Sequence, residues 1–240
     1  MSKLFTSFKL KDIEVKNRIV MAPMCMYSAS GDGIANDWHY VHYTSRAVGG
    51  AGLILQEATA VESRGRISSN DLGLWDDGQI DGLKRIVDAV KKNGALMGVQ
   101  LAHAGRKCEA EEEQIIAPSP IAFSDEYRLP KEMTKKDIKT VVEAFQDAAR
   151  RCLEVGYDII EIHGAHGYII NEFLSPVTNK RTDEYGGTAE NRARFLKEVL
   201  HAVREVWTQE KPLILRVTSE DYVEDGNHPE DLAELINLVK

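Results

Sequence analysis

Two histidines three positions apart and a tyrosine two further on, His163, His166 and Tyr168, stand in the run Glu161-Ile-His-Gly-Ala-His-Gly-Tyr168. Gly164, Ala165 and Gly167 separate them. Such small residues let a backbone turn sharply while larger rings point into a shared space. Two imidazoles and a phenol together can donate hydrogen bonds to one small-molecule oxygen, with a proton source alongside. The preceding Tyr157-Asp-Ile-Ile-Glu-Ile162 is rich in β-branched residues and enters from Gly156, so it reads as a short buried strand. Taken singly, each of the three side chains is explained by a satisfied loop contact. Gathered beyond one strand end, they read as a site.

The elements that must hold this cluster alternate between strand and helix. Phe8 to Val15 suggests a small hairpin around Lys11-Asp12, and Arg18 to Met24 a strand. Asn36 or Asp37 caps a helix running to Val48 and stopping at Gly49-Gly50, followed by a strand over Ala51 to Gln56. After Asp76-Asp77 comes a helix with Ile80, Leu83, Ile86, Val87 and Val90 on one face, closed by Asn93-Gly94. Ala95 to Leu101 is the next strand. Thr134, with Asp137 three residues on, opens a long helix with Ile138, Val141, Val142, Phe145, Ala149 and Cys152 inward, closing at Gly156. A helix from about Ala189 to Trp207 buries Phe195, Leu196, Val199, Leu200, Val203 and Val206. Pro212 to Thr218 is a fifth strand, and Pro229 starts a further helix.

Continuous apolar strands in a βα repeat mark a parallel sheet. A doubly wound sheet places a glycine-rich turn after its first strand; here that turn is Pro23-Met-Cys-Met-Tyr27. Polar residues recur instead at strand C-termini: Cys25 and Tyr27, Gln56 and Glu57, Gln100 and His103, His163 and His166, and Arg216. That is how a (β/α)8 barrel builds a site.

Composition removes several classes. A net charge of −8 and a pI near 5.5 argue against a nucleic-acid surface, which needs a clustered basic face. The acidic run from Glu109 to Glu113 reads as a solvated loop. No apolar run approaches the ~20 residues that span a bilayer, and Met1 to Ser7 lacks the apolar core of a signal peptide. Cys25, Cys108 and Cys152 show no paired spacing, so a reducing cytoplasm is the expected location. Cys152 reads as core, Cys108 as incidental, and Cys25 as a small packing thiol with no base assigned to it. Arg216, within Leu213-Ile-Leu-Arg-Val217, is expected to need a partner, because a buried charge without one is costly. A zinc hydrolase using His163 and His166 lacks an evident third ligand, and Lys107 lies too far beyond its strand for a Schiff-base aldolase.

Pro23-Met-Cys-Met-Tyr27, Gln100-Leu-Ala-His-Ala-Gly-Arg-Lys107, His163-Gly-Ala-His-Gly-Tyr168, and Asn179-Lys-Arg-Thr-Asp-Glu-Tyr-Gly-Gly187 with Glu190-Asn-Arg192 resemble the old yellow enzyme family of flavin ene-reductases. The cysteine makes the chain most similar to the bacterial, thermophilic-like NADPH dehydrogenase subclass. The resemblance runs from about Leu4 to the last residue and implies an FMN-containing (β/α)8 TIM barrel, with the N-terminal hairpin plugging its floor. It implies that Pro23, Met24, Cys25, Met26, Ala58, Gln100 and Arg216 line the flavin. Gln100 would meet the pyrimidine edge and Arg216 the N1 and C2 oxygen side. Tyr27, His163, Gly164, Ala165 and His166 would contact an α,β-unsaturated carbonyl substrate, the two histidines polarising its oxygen. Tyr168 would protonate the α-carbon, and NADPH would be the hydride donor. The segment Arg181 to Gly187 is expected to be a loop anchored by ion pairs.

The resemblance also implies that residues 1–240 form one FMN-binding TIM-barrel domain, C-terminally truncated, supplying the hairpin and about five βα units. Members of the subclass form dimer-based tetramers. Phosphate in such barrels is held by loops after the seventh and eighth strands, so the isolated chain is expected to associate and to bind FMN weakly. A non-catalytic half-barrel is the alternative reading.

Overall fold

The hairpin forms where the alternation predicts it. β1 (Phe8–Leu10) pairs antiparallel with β2 (Ile13–Val15), and Lys11 takes the left-handed turn conformation at φ 51°. Beyond it follow β3 (Val20–Met21), α1 (Asp37–Val48), β4 (Leu53–Ala60), β5 (Leu72–Gly73), α2 (Ile80–Lys92), β6 (Leu96–Ala102) and β7 (Ile116–Ala117). The remainder is β8 (Lys131–Glu132), α3 (Lys135–Val155), β9 (Ile159–Gly164), α4 (Ile169–Leu174), α5 (Ala189–Val206), β10 (Leu213–Val217) and α6 (Pro229–Val239). The structure, a computed structural model, describes residues 2–112 and 114–239; Glu113, at the end of the acidic run, lies outside them.

β3, β4, β6, β9 and β10 are all parallel and are neighbours in chain order. A doubly wound sheet reverses its order at a switch point. This one does not, and α1, α2, α3, α5 and α6 pack side by side in succession. The arrangement is an arc of a (β/α)8 barrel. Between helices and sheet lies the main core, including Ile86 and Val90 of α2, Phe145 and Cys152 of α3, and Phe195 and Val199 of α5.

The sheet's other face is the barrel interior. Its floor is Leu53, Leu55, Ile159, Leu96 and Ile214, closed by Phe8, Leu10, Ile13 and Val15 of the hairpin. Because side chains alternate along a strand, β9 presents Ile159, then Glu161, then His163 to the interior. A register shift between Gln56 and Ala58 changes the parity of β4, so Ala58 rather than Glu57 stands opposite Gln100. Gln100 in turn stands opposite Glu161, and Arg216 opposite His163.

Helix ends follow their capping chemistry. Asn36 caps α1, Thr134 and Asp137 form a reciprocal capping box on α3, and Gly156 closes α3 at φ 94°. Thr188 caps α5, and α6 begins at Pro229.

Some expectations are corrected. Of Arg18 to Met24 only Val20 and Met21 pair in the sheet; the chain then leaves the ladder and is fastened by Glu57, whose Oε2 accepts from the Met26 N–H at 2.8 Å. Val142, Leu200 and Val206 are only partly buried. β10 is the outer strand of the sheet, and all five of its residues are partly rather than fully buried. Glu112 is not simply solvated: it accepts from Ser63 Oγ and from Arg66 at 2.8 Å. Cys108 is buried in a small apolar cluster with Ala104 and Ile115. As expected, Arg181 anchors its loop, pairing with Asp183 at 2.6 Å and donating to the carbonyls of Pro118 and Met133.

The short helix α4 was not expected, and all six of its residues are buried. They include Glu172, one of whose oxygens accepts from the Arg106 backbone N–H at 2.9 Å while the other has no partner among the described residues. Burial raises its pKa from 4.5 to about 8, outweighing that hydrogen bond and the Arg106 and Lys107 charges. A carboxyl whose folded pKa exceeds its unfolded one favours the fold while it keeps its proton. The contribution is complete below about 4.5 and is lost as pH rises through about 8. The thermal midpoint of the chain should therefore fall between pH ~5 and ~8, by an amount on the order of a few kcal/mol in stability, and Glu172→Gln should flatten that slope. Identical pH profiles for the two proteins would refute the assignment.

Candidate active site

His163, the penultimate residue of β9, sets the geometry. Its Nδ1 accepts from the Ala165 N–H at 3.3 Å, which leaves Nε2–H as the donor. Burial, helped by His166, Arg216 and Lys107, lowers its pKa to about 3, so the ring is neutral. His166 meets it edge to face at 5.1 Å and Tyr168 at 5.0 Å. The three rings predicted from spacing share one space.

His166 is exposed, and its backbone lies in the left-handed region at φ 61°, followed by Gly167 at φ 73°. Non-glycine residues adopt this region at a cost, which the surroundings must hold in place. Here the His166 N–H donates to Thr218 Oγ1 at 2.9 Å, and its carbonyl accepts from Lys107 Nζ at 3.2 Å. Tyr168 is half-buried. Burial, then the neighbouring Cys25 and Tyr27, push its pKa up, so the phenol keeps its proton. Lys107 Nζ lies 5.0 Å from the centre of the Tyr168 ring.

The facing wall comes from the turn after β3. Cys25 and Tyr168 both pack on the cluster containing Ala58, Ile67, Ala102 and Ala104. Burial pushes the Cys25 thiol up to about 12, with Asp71 and Glu57 adding to the effect. A protonated thiol is a poor nucleophile. Tyr27 is exposed and also left-handed, at φ 51°, with its phenol raised to about 12 by burial and by Cys25. Glu57 underpins this wall: besides Met26, it accepts from the Tyr43 hydroxyl at 2.9 Å, and burial raises its pKa.

Gln100 and Arg216 complete the interior. The Gln100 amide donates to Glu161 Oε1 at 2.6 Å. Glu161 is itself raised by burial and lowered by Gln100 and Arg216. Arg216 is half-buried beside His163 and has neither an ion pair nor a side-chain hydrogen bond among the described residues. A half-buried guanidinium with its N–H groups uncommitted is suited to an electron-rich, hydrogen-bonding edge. Ala58 stands in its row as a small flat neighbour, and Met24 is 54% exposed. The residues present thus fit the ring of a flavin.

Gly164 and Ala165, which the resemblance puts at the substrate, are buried. A Cβ on Gly164 would meet the Arg216 carbonyl at 3.0 Å, and Ala165 acts through its N–H on His163. Of the polar ring read from strand ends, Gln56 is turned to Thr59 and the Tyr157 hydroxyl. His103 is turned to Glu62 Oε1 at 2.8 Å and accepts from the Gly105 N–H, so it anchors a turn. Sequence reasoning gave no role to Lys107, Glu57 or Glu172. Lys107, as the last residue of the Gln100 motif, and Glu57, at a strand end, each carried a signal, and Glu172 none. No three His, Cys, Asp or Glu side chains gather as metal ligands among the described residues.

Residues 3–240 match the NADH:flavin oxidoreductase / NADH oxidase family. The chain is 57% identical over 230 residues to an NADPH dehydrogenase of Geobacillus sp. (strain WCH70), covering 95% of this chain and 65% of that protein. It is 52% identical over 239 residues to an NADPH dehydrogenase of Clostridium acetobutylicum, covering 99% and 70%. The Old Yellow Enzyme from Pichia sp. AKU4542 superposes with a TM-score of 0.90 at 30% identity, over 98% of this chain and 66% of that one. Morphinone reductase in complex with tetrahydroNAD superposes at 0.87 and 32% identity, over 100% and 72%. The chain therefore spans about two thirds of the length of these curated relatives. It belongs to the NADH:flavin oxidoreductase / NADH oxidase family.

Proposed function

We propose that residues 1–240 are the FMN-binding barrel portion of a flavin-dependent ene-reductase that uses NADPH to reduce α,β-unsaturated carbonyl compounds. The observation that carries this reading is the neutral His163, with its tautomer set by Ala165 and its ring flanked by His166 and Tyr168. FMN, once bound and reduced by NADPH, supplies hydride to the substrate's β-carbon. Pro23, Met24, Cys25, Met26 and Ala58 would hold one side of its ring, and Gln100 and Arg216 its polar edge. Arg216 is the unpaired cation suited to the charge that collects there.

The remaining roles belong to the chain. His163 Nε2–H and His166 donate to the substrate carbonyl and stabilise the oxygen as it gains enolate character. Tyr27 stands across from them to contact the substrate. Cys25, protonated, packs and hydrogen-bonds without attacking it. Tyr168, whose phenol is held in the acid form, gives its proton to the α-carbon. Lys107, near the Tyr168 ring, favours the phenolate that this transfer leaves behind.

In the FMN-loaded protein, replacing both His163 and His166 by alanine should slow enone reduction by on the order of 10²-fold or more, the usual effect of losing oxyanion donors. Unchanged turnover in that double variant would remove the histidines from the reaction. Tyr168→Phe should slow reoxidation by enone while leaving flavin reduction by NADPH nearly intact, because the latter needs no proton on carbon. Stopped-flow traces in which both half-reactions slow alike would make Tyr168 a packing residue.

A further inference from the structure

Arg106 and Lys107 are adjacent cations, and neither is in an ion pair among the described residues. Both line a cavity of about 440 Å³ beside the site, together with His166, Asn171, Glu172 and Thr218. Arg106 donates to the Ala122 carbonyl at 3.3 Å and lies over Phe123 at 5.4 Å, but its Nε is buried without a partner. Lys107 gives one hydrogen bond, to the His166 carbonyl, and otherwise faces the rings of Phe123 at 4.4 Å and Tyr168. Burial lowers the pKa of each; Arg106 crowds Lys107 further, and Glu172, with Glu109 for Lys107, offsets this only in part.

The acids around the cavity are engaged elsewhere. Glu172, beneath the pair, keeps its proton at neutral pH. Glu220 accepts from the Tyr222 N–H and pairs with His228 at 2.8 Å. Asp221 accepts from Ser175 Oγ and the Asn227 N–H. Glu109 acts on Lys107 only from an exposed position. Two partly desolvated cations, in no ion pair among the described residues and one with a buried N–H left over, form a site that a bound anion completes.

We propose that this cavity binds the anionic oxygen group, carboxylate or phosphate, of a ligand whose reactive end lies on His163, His166 and Tyr168. His166 borders both spaces, so one extended small molecule reaches from the ring trio to the Arg106–Lys107 pair. Which molecule brings the group rests on the reading above: a phosphate of the nicotinamide dinucleotide, or a carboxylate on the unsaturated substrate. The anion site itself does not depend on turnover.

Calorimetric titration with inorganic pyrophosphate and with succinate tests the site directly. At least one of them should bind saturably, about tenfold more weakly to Arg106→Gln, and close to normally to Arg106→Lys, which keeps the charge. Failure of both probes to saturate the protein, or equal affinity in the Gln variant, would overturn the proposal whether or not the protein reduces enones. In the active enzyme Arg106→Gln should raise KM with little change in kcat. A rise for the dinucleotide assigns a phosphate, and a rise only for carboxylate-bearing enones assigns a carboxylate. Unaltered KM for both classes counts against the site even where pyrophosphate binds.

Discussion

Parallel register is the constraint on which the rest of this structure rests. Five strands of the main sheet, β3, β4, β6, β9 and β10, run the same way and in chain order, so each delivers its C-terminal residues to the same rim. Alternation then sorts each strand's inward positions by height: Ile159 on the apolar floor, Glu161 in the middle, His163 at the top. The neighbouring strands add Gln100 at the middle level and Arg216 at the upper one. One irregularity is needed to finish the row. The shift between Gln56 and Ala58 brings a methyl group, not a carboxylate, opposite Gln100, and frees Glu57 to hold the turn after β3.

Much of this was legible in the residues, because it is written locally. The hairpin around Lys11, the caps at Asn36 and Thr134, the left-handed stop at Gly156 and the proline at the start of α6 are each decided by a few adjacent side chains. The histidine–tyrosine cluster was legible for the same reason, since its geometry lies within six consecutive residues. What escaped depends on distant partners. Nothing near Glu57 in sequence says that it reaches Met26 and Tyr43, and nothing near His103 says that it turns to Glu62 rather than into the site. Gly164 and Ala165 also act through distant or backbone contacts, Gly164 against the Arg216 carbonyl and Ala165 by its N–H on His163. The ring trio itself was expected, whereas the second tier that holds it was not.

That second tier is built of carboxyl groups held away from water. Glu57 and Glu172 sit beneath the two loops that carry the site, one under Pro23 to Met26 and the other under Gly105 to Lys107. Each accepts a backbone N–H from its loop, and burial raises the pKa of each. Glu172, raised to about 8, positions its turn in this way without adding a full negative charge to the site. A Cβ on Gly105 would meet Glu172 Oε1 at 2.2 Å, so the turn and the carboxyl fit only because that residue is a glycine with φ 58°.

The groups that would meet a substrate are consequently uncharged, and the cations stand one step behind them. His163 is neutral down to about pH 3, and Tyr168 and Cys25 keep their protons well above neutrality. Arg216 is paired in register with His163, and Lys107 holds the His166 carbonyl. A neutral donor binds a ground-state carbonyl only modestly. Fixed positive charge behind it would gain most as the oxygen becomes anionic, so in the proposed reaction the arrangement would favour the transition state over the substrate. Burial first, and then those same cations, hold His163 in its neutral form, because an added positive charge there would be desolvated and repelled. The donors and the field that strengthens them therefore come from one arrangement of side chains.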